Sequence, residues 1–129
     1  MTTVLLVEDD RAVRSLVVEM LETSGIHVIE AGLGEAALTD LREQSYDLLL
    51  TDIVMPAVDG VRVVEHAREH RPDLPIIAMS GGSGFMIPEV GLRWSQAAGA
   101  NRVLKKPFRR EELLAAIEEL MRGRPSPSA

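Results

Sequence analysis

A chain of 129 residues and 14.1 kDa holds one domain around one core, and its 46% hydrophobic and 26% charged residues suit a soluble globular protein. No apolar run approaches the roughly 20 residues of a membrane span, and Met1-Thr2-Thr3 enters a strand without a basic leader, so no signal peptide and a cytoplasmic location are expected. Without cysteine there are no disulfides or thiolate metal sites, and a net charge of −6, a pI near 5.0 and 3% aromatics argue against nucleic-acid binding.

Strand and helix alternate five times along the chain. Val4 to Val7 is an apolar strand, and Arg11 to Ser24 is a helix with Val13, Leu16, Val17, Met20 and Leu21 at helical spacing on one face. Gly25 stops that helix. His27 to Ala31 is the second strand, and Gly32 to Gly34 turns into a helix carrying Ala36, Ala37, Leu38 and Leu41. Leu48 to Thr51 is the third strand, too short for a buried helix. Asp52 follows it, Pro56 blocks helix propagation, and Asp59-Gly60 signals a turn.

Gly60 to about His70 is the third helix, with Val61, Val63, Val64 and Ala67 as its buried stripe. Pro75 to Ser80 is the fourth strand. Gly81-Gly82-Ser83-Gly84 forms a loop before a weaker helix from about Pro88 to Ala98, packed by Trp94 and Met86. Arg102 to Lys105 is the fifth strand, and Arg110 to Met121 the last helix, with Leu113, Ile117, Leu120 and Met121 inward. Residues 1–122 thus form one domain, and the Pro- and Ser-rich stretch 123–129 a flexible tail.

Such alternation implies right-handed crossovers and a parallel sheet covered on both faces. The expected fold is α/β, a flavodoxin-like doubly wound five-stranded parallel sheet of order 2-1-3-4-5 with five helices. Ligands of such sheets bind beyond the carboxyl ends of the strands, where the strand order reverses.

At those ends stand Glu8, Asp9 and Asp10, then Asp52, Ser80 and Lys106. Several carboxylates in one crevice raise each other's pKa unless a cation holds them. Oxygen donors without cysteine or a positioned histidine suit Mg2+, which keeps places for water and phosphate oxygens. That is phosphoryl-transfer chemistry. Asp52 is then the nucleophile that forms an aspartyl phosphate. Asp9 ligates Mg2+, Glu8 assists, and the backbone carbonyl of Val54 is a candidate third protein ligand. Lys106 offers a cation and Ser80 a hydroxyl to the phosphoryl oxygens. Pro107 keeps Lys106 extended and leaves a cis Lys-Pro bond open.

From about Val4 to Met121 the chain resembles a two-component response regulator receiver domain, single-domain and similar to the chemotaxis regulator. The matching motifs are Leu5-Leu6-Val7-Glu8-Asp9-Asp10, Asp52-Ile53-Val54-Met55-Pro56 with Asp59-Gly60, Met79-Ser80-Gly81, and Lys106-Pro107-Phe108. The resemblance implies Glu8 and Asp9 as the acidic pair, Asp52 as phosphoacceptor, Ser80 as switch hydroxyl and Lys106 as the lysine. It also implies a phosphohistidine donor on a sensor histidine kinase or phosphotransfer protein, and a downstream protein target reached by contact or phosphorelay. No activity is expected beyond the chain's own phosphorylation and dephosphorylation, so it is not an enzyme in the usual sense. Three departures stand out. Val103 occupies a position usually aromatic, Val54 is apolar where many relatives are polar, and Gly81 to Ala98 is longer than usual.

Blander readings compete at several positions. Asp10 serves equally well as a helix N-cap or in the metal shell, and Asp59 as a turn former. Lys105 rivals Lys106 until Pro107 is weighed. His66 and His70 read as a solvated helix face rather than a metal pair. Glu111-Glu112 suits the first turn of the last helix. An FMN module would need a Gly- or Ser/Thr-rich loop after the first strand, where this chain has acids. An aspartate-nucleophile phosphatase would carry a second Asp at Val54. A receiver-like scaffold that never carries phosphate fits poorly with an intact acceptor, lysine and acid pair.

Overall fold

The computed structural model of the chain describes residues 2–32, 35–53, 60–80 and 99–122. Val54, Asp59, the expected helix at Pro88–Ala98 with its Trp94, Met86, and the stretch 123–129 lie outside these residues. The described elements are β1 (Thr3–Val7), α1 (Arg11–Glu22), β2 (His27–Glu30), α2 (Glu35–Glu43), β3 (Leu48–Asp52), α3 (Gly60–His70), β4 (Ile76–Ser80), β5 (Arg102–Lys105) and α4 (Arg110–Met121). Four of the five expected helices are therefore present among the described residues.

The five strands form one sheet of order β2-β1-β3-β4-β5, every pair parallel. The register is set by apolar runs that are covered on both faces, as parallel sheets require. Leu5 and Val7 point into a core with Leu38 and Leu41 of α2 and Val63, Val64 and Ala67 of α3. Val4 and Leu6 point the other way, into a core with Val17 and Leu21 of α1 and Leu113, Ala116 and Ile117 of α4. Val103 packs half-buried against the first of these cores.

Two helix readings need correction. Helix α1 ends at Glu22, two residues before Ser24, because the Thr23 and Ser24 hydroxyls donate to the Glu19 and Met20 carbonyls and close the last turn. Gly25 follows at φ +83°, the left-handed conformation that glycine adopts without steric cost. Leu16 is 53% exposed, not buried. It lines the rim of an open apolar groove of about 220 Å3 with Val13, Met20, Lys106, Pro107 and Phe108, so no described residue covers its outer side. In α4, Leu113 and Ile117 are buried while Leu120 and Met121 are half-buried.

The amino ends of the strands carry their own polar fastening. Asp47, 6% exposed, accepts the Thr3 N–H at 2.8 Å and ties β1 to β3. Arg68 of α3 donates to the carbonyls of Gly99 and Pro72 at 2.8 and 2.6 Å and to Asn101 Oδ1 at 2.9 Å. Asn101 Oδ1 in turn accepts the Ile76 N–H, so one guanidinium joins α3 to the entries of β4 and β5. Gly99 has φ +126°, and a Cβ there would meet the Arg68 side chain at 3.0 Å.

Candidate functional site

Because all strands are parallel, every carboxyl end emerges on one rim, and the reversal of strand order between β1 and β3 opens a crevice there. Glu8 follows β1 and is 1% exposed; Asp52 is the last residue of β3 and 5% exposed. Ser80 ends β4 at 1% exposure. Lys106 follows β5 and extends its ladder, its N–H donating to the Ser80 carbonyl at 2.8 Å. The Lys106-Pro107 peptide is cis, the alternative left open by the sequence.

The side chains meet. Lys106 Nζ lies 2.6 Å from Glu8 Oε1 and 3.2 Å from Asp52 Oδ2. One carboxylate oxygen from each of Glu8, Asp9 and Asp52 falls within 4.8 Å of the others, a grouping able to hold a cation. Three carboxylates against one ammonium leave an excess of negative charge in a largely buried place. The protonation equilibria register this. Burial, with the Asp52 charge added, raises the Glu8 carboxyl above its ordinary value despite the bond from Lys106. Burial and the neighbouring Glu8 charge raise Asp9 as well. Burial alone would lower the Lys106 ammonium, but the Glu8 bond and the Asp52 and Glu8 charges outweigh it and hold the group above its usual range.

Asp10 turns out to be the N-cap of α1: its Oδ1 accepts the Ala12 and Val13 N–H groups at 2.9 and 3.2 Å. Its own N–H donates to Glu8 Oε2 at 3.1 Å, so the cap also fixes the acid. Ser80 Oγ is buried and has no hydrogen-bond partner among the described residues. A buried hydroxyl without a partner is uncommon, and here it stands at the end of the strand beside Asp52. Lys105 is exposed, on the other side of its strand from Lys106. Val54, the candidate carbonyl ligand, lies outside the described residues.

Elsewhere the site expectations divide. His66 and His70 join no metal-holding group among the described residues. His66 is not on a fully solvated face, however, for its Nε2 is buried without a partner among the described residues. Glu112 accepts the Arg109 N–H at 3.0 Å and so caps α4. One contact at the rim escaped the sequence: Arg14 Nη1 donates to the Glu8 carbonyl at 3.1 Å while its Nε pairs with Glu30 Oε1 at 3.2 Å. Only its position one turn into α1, beside an acidic run, hinted at it.

A five-stranded parallel sheet of this order with acids, a hydroxyl and a lysine at its strand tips defines a signalling class, and residues 4–118 match the response regulator receiver domain family. The chain belongs to that family. It is 38% identical to the response regulator receiver protein CpdR of Brucella abortus over 122 residues, 94% of this chain and 98% of that protein. It is 38% identical to the transcriptional regulatory protein CpxR of Escherichia coli, of which it spans 50%. Among solved structures, the chemotaxis response regulator CheY4 of Vibrio cholerae superposes with a TM-score of 0.80 at 29% identity, over 93% of this chain and 98% of that one. A CheY-like receiver domain protein from Methanospirillum hungatei gives 0.82 at 28% identity, over 92% of each. No helix among the described residues is long and apolar enough to cross a membrane.

Proposed function

We propose that this receiver takes a phosphoryl group onto Asp52 from a phosphohistidine on a sensor kinase or phosphotransfer protein, in a Mg2+-dependent reaction in the cytoplasm. The observation that carries the reading is the meeting of Lys106 Nζ with both Glu8 and Asp52, with Asp9 within reach. The donor set fits a hard divalent ion: oxygen atoms alone, an excess of negative charge, and two carboxyls raised by burial in its absence. Asp9 and Asp52 would hold Mg2+, Glu8 would assist, and the Val54 carbonyl remains the expected further ligand. When bound, the ion supplies charge neutralisation for the oxygens of the transferring group.

The chain's own residues do the rest. An Asp52 carboxylate oxygen attacks phosphorus, the P–N bond to the donor imidazole breaks, and its electron pair stays on the imidazole nitrogen. Lys106 pairs with one oxygen of the new aspartyl phosphate, and the Ser80 hydroxyl donates to another. Both shifts draw on the ends of β4 and β5, so the charge change at Asp52 biases a two-state rearrangement of the surface formed with α4. A downstream protein reads that surface by contact or receives the phosphate by relay. The chain turns over no external substrate as an enzyme would, acting only on its own phosphorylation and dephosphorylation. The test is incubation with acetyl phosphate and MgCl2. Acid-labile label should appear in the native chain, vanish with EDTA, and be absent from a folded Asp52→Asn variant. Label retained on that variant would remove Asp52 as acceptor.

A further inference from the structure

The turn that carries Glu8, Asp9 and Asp10 leaves the sheet before α1 begins, and its main chain must hold three acids in place against their mutual repulsion. Arg14 reaches back from the first turn of α1 and donates Nη1 to the Glu8 carbonyl at 3.1 Å. Its Nε is held 3.2 Å from Glu30 Oε1, at the last residue of β2. Leu6 of β1 is the register partner of Glu30, so the arginine spans from the turn to the strand beside it. The Glu8 carbonyl and the Asp9 N–H belong to one planar peptide unit. Fixing that carbonyl fixes the plane from which Asp9 hangs.

We propose that Arg14 is a positioning residue for the divalent ion: by clamping the Glu8-Asp9 peptide to β2 it holds Asp9 in the orientation that binds Mg2+. The inference rests on the metal reading given above. Its sign separates it from electrostatics. A guanidinium bonded to the main chain of the acidic turn opposes a second cation by charge alone, so removing it should tighten Mg2+ binding. Removing a positioning group should weaken it, since partners that orient metal ligands are worth about 10-fold or more in affinity.

The experiment is isothermal titration of the full chain with MgCl2, alongside thermal melts without the ion. Arg14→Met should weaken Mg2+ affinity about 10-fold. Arg14→Lys keeps the charge but not the fork that spans both oxygens, and should fall between Arg14→Met and the native chain. Glu30→Gln frees the far end of the arginine and should weaken binding less than Arg14→Met. It keeps the proposal testable if Arg14→Met fails to fold. Unchanged or tighter binding in the folded variants overturns the role. A native chain that does not bind Mg2+ overturns the metal reading itself, and the inference with it.

Discussion

Lys106 Nζ stands 2.6 Å from Glu8 Oε1 but 3.2 Å from Asp52 Oδ2, so the cation after β5 leans more closely on the acid after β1 than on the expected acceptor. Both ends of the shorter pair are shielded from water, the side chains being 16% and 0% exposed. The lysine therefore already compensates charge where a divalent ion would.

That competition makes Lys106→Met informative in two directions. Removing one partner of a buried pair costs about 3–5 kcal/mol, and uptake of a proton by Glu8 would relieve part of it, leaving a loss of about 2–3 kcal/mol in metal-free stability. With the ammonium gone, Mg2+ should bind more tightly by titration, while labelling by acetyl phosphate should fall sharply. Weaker Mg2+ binding in this variant would show that the lysine organises the acids rather than competing with the ion.

The raised carboxyls set a pH dependence. Glu8 and Asp9 titrate above their ordinary 4.5 and 3.8 when folded, so their contribution to stability is fully present below those values. It is lost as pH rises through the raised folded values. Under the proposed ligation Mg2+ favours the ionised form of Asp9 and of the assisting Glu8, so its stabilising effect would run the other way. The difference in Tm with and without MgCl2 should grow as pH rises above the ordinary carboxyl values, and a difference independent of pH would count against carboxylate ligation. Lys106, held above 10.5, keeps its contribution until alkaline pH and loses it as pH rises past the folded value.

Ser80 yields a separate expectation. Its buried hydroxyl has no partner among the described residues, so Ser80→Ala should leave stability unchanged or raise it by about 1 kcal/mol, by removing an unsatisfied group. The same variant should gain less stability than the native chain when phosphorylated. A marked loss of stability without phosphate would mean that the hydroxyl already has a structural partner.

Arg68 provides the contrast at the opposite end of the sheet. Its bonds to Gly99, Pro72 and Asn101 join elements far apart in the chain, and Arg68→Ala should cost about 2 kcal/mol in denaturant unfolding. Mg2+ affinity should not change, because the guanidinium lies among the amino ends of the strands. A coupled loss of ion binding would show that the two rims communicate.

Much of this was legible in the chain because local chemistry and tertiary placement agree. The continuous apolar runs at Val4–Val7, Leu48–Leu50 and Ile76–Met79 can only be strands buried on both faces, and the acids, hydroxyl and lysine directly after them fall on one rim. What escaped depends on partners far away in sequence. Leu16 has helical spacing for burial but faces an open groove, and helical spacing alone cannot report what lies opposite a helix. Asp47 and Arg68 look like surface charges until their backbone partners prove to lie elsewhere in the chain, on β1 for Asp47 and just before β5 for Arg68. Arg14 sits among exposed residues of α1, yet its side chain turns back to the Glu8 carbonyl. Asp10 was evenly balanced between two roles, and only the two bonds from Ala12 and Val13 decide for the cap.

The Lys106–Glu8 bond joins residues 98 positions apart, with β3 and β4 between them in the chain. During synthesis the nascent polypeptide would expose its acids long before their counter-charge left the ribosome. The buried charge balance of the rim would then be completed only after the fifth strand had emerged and docked.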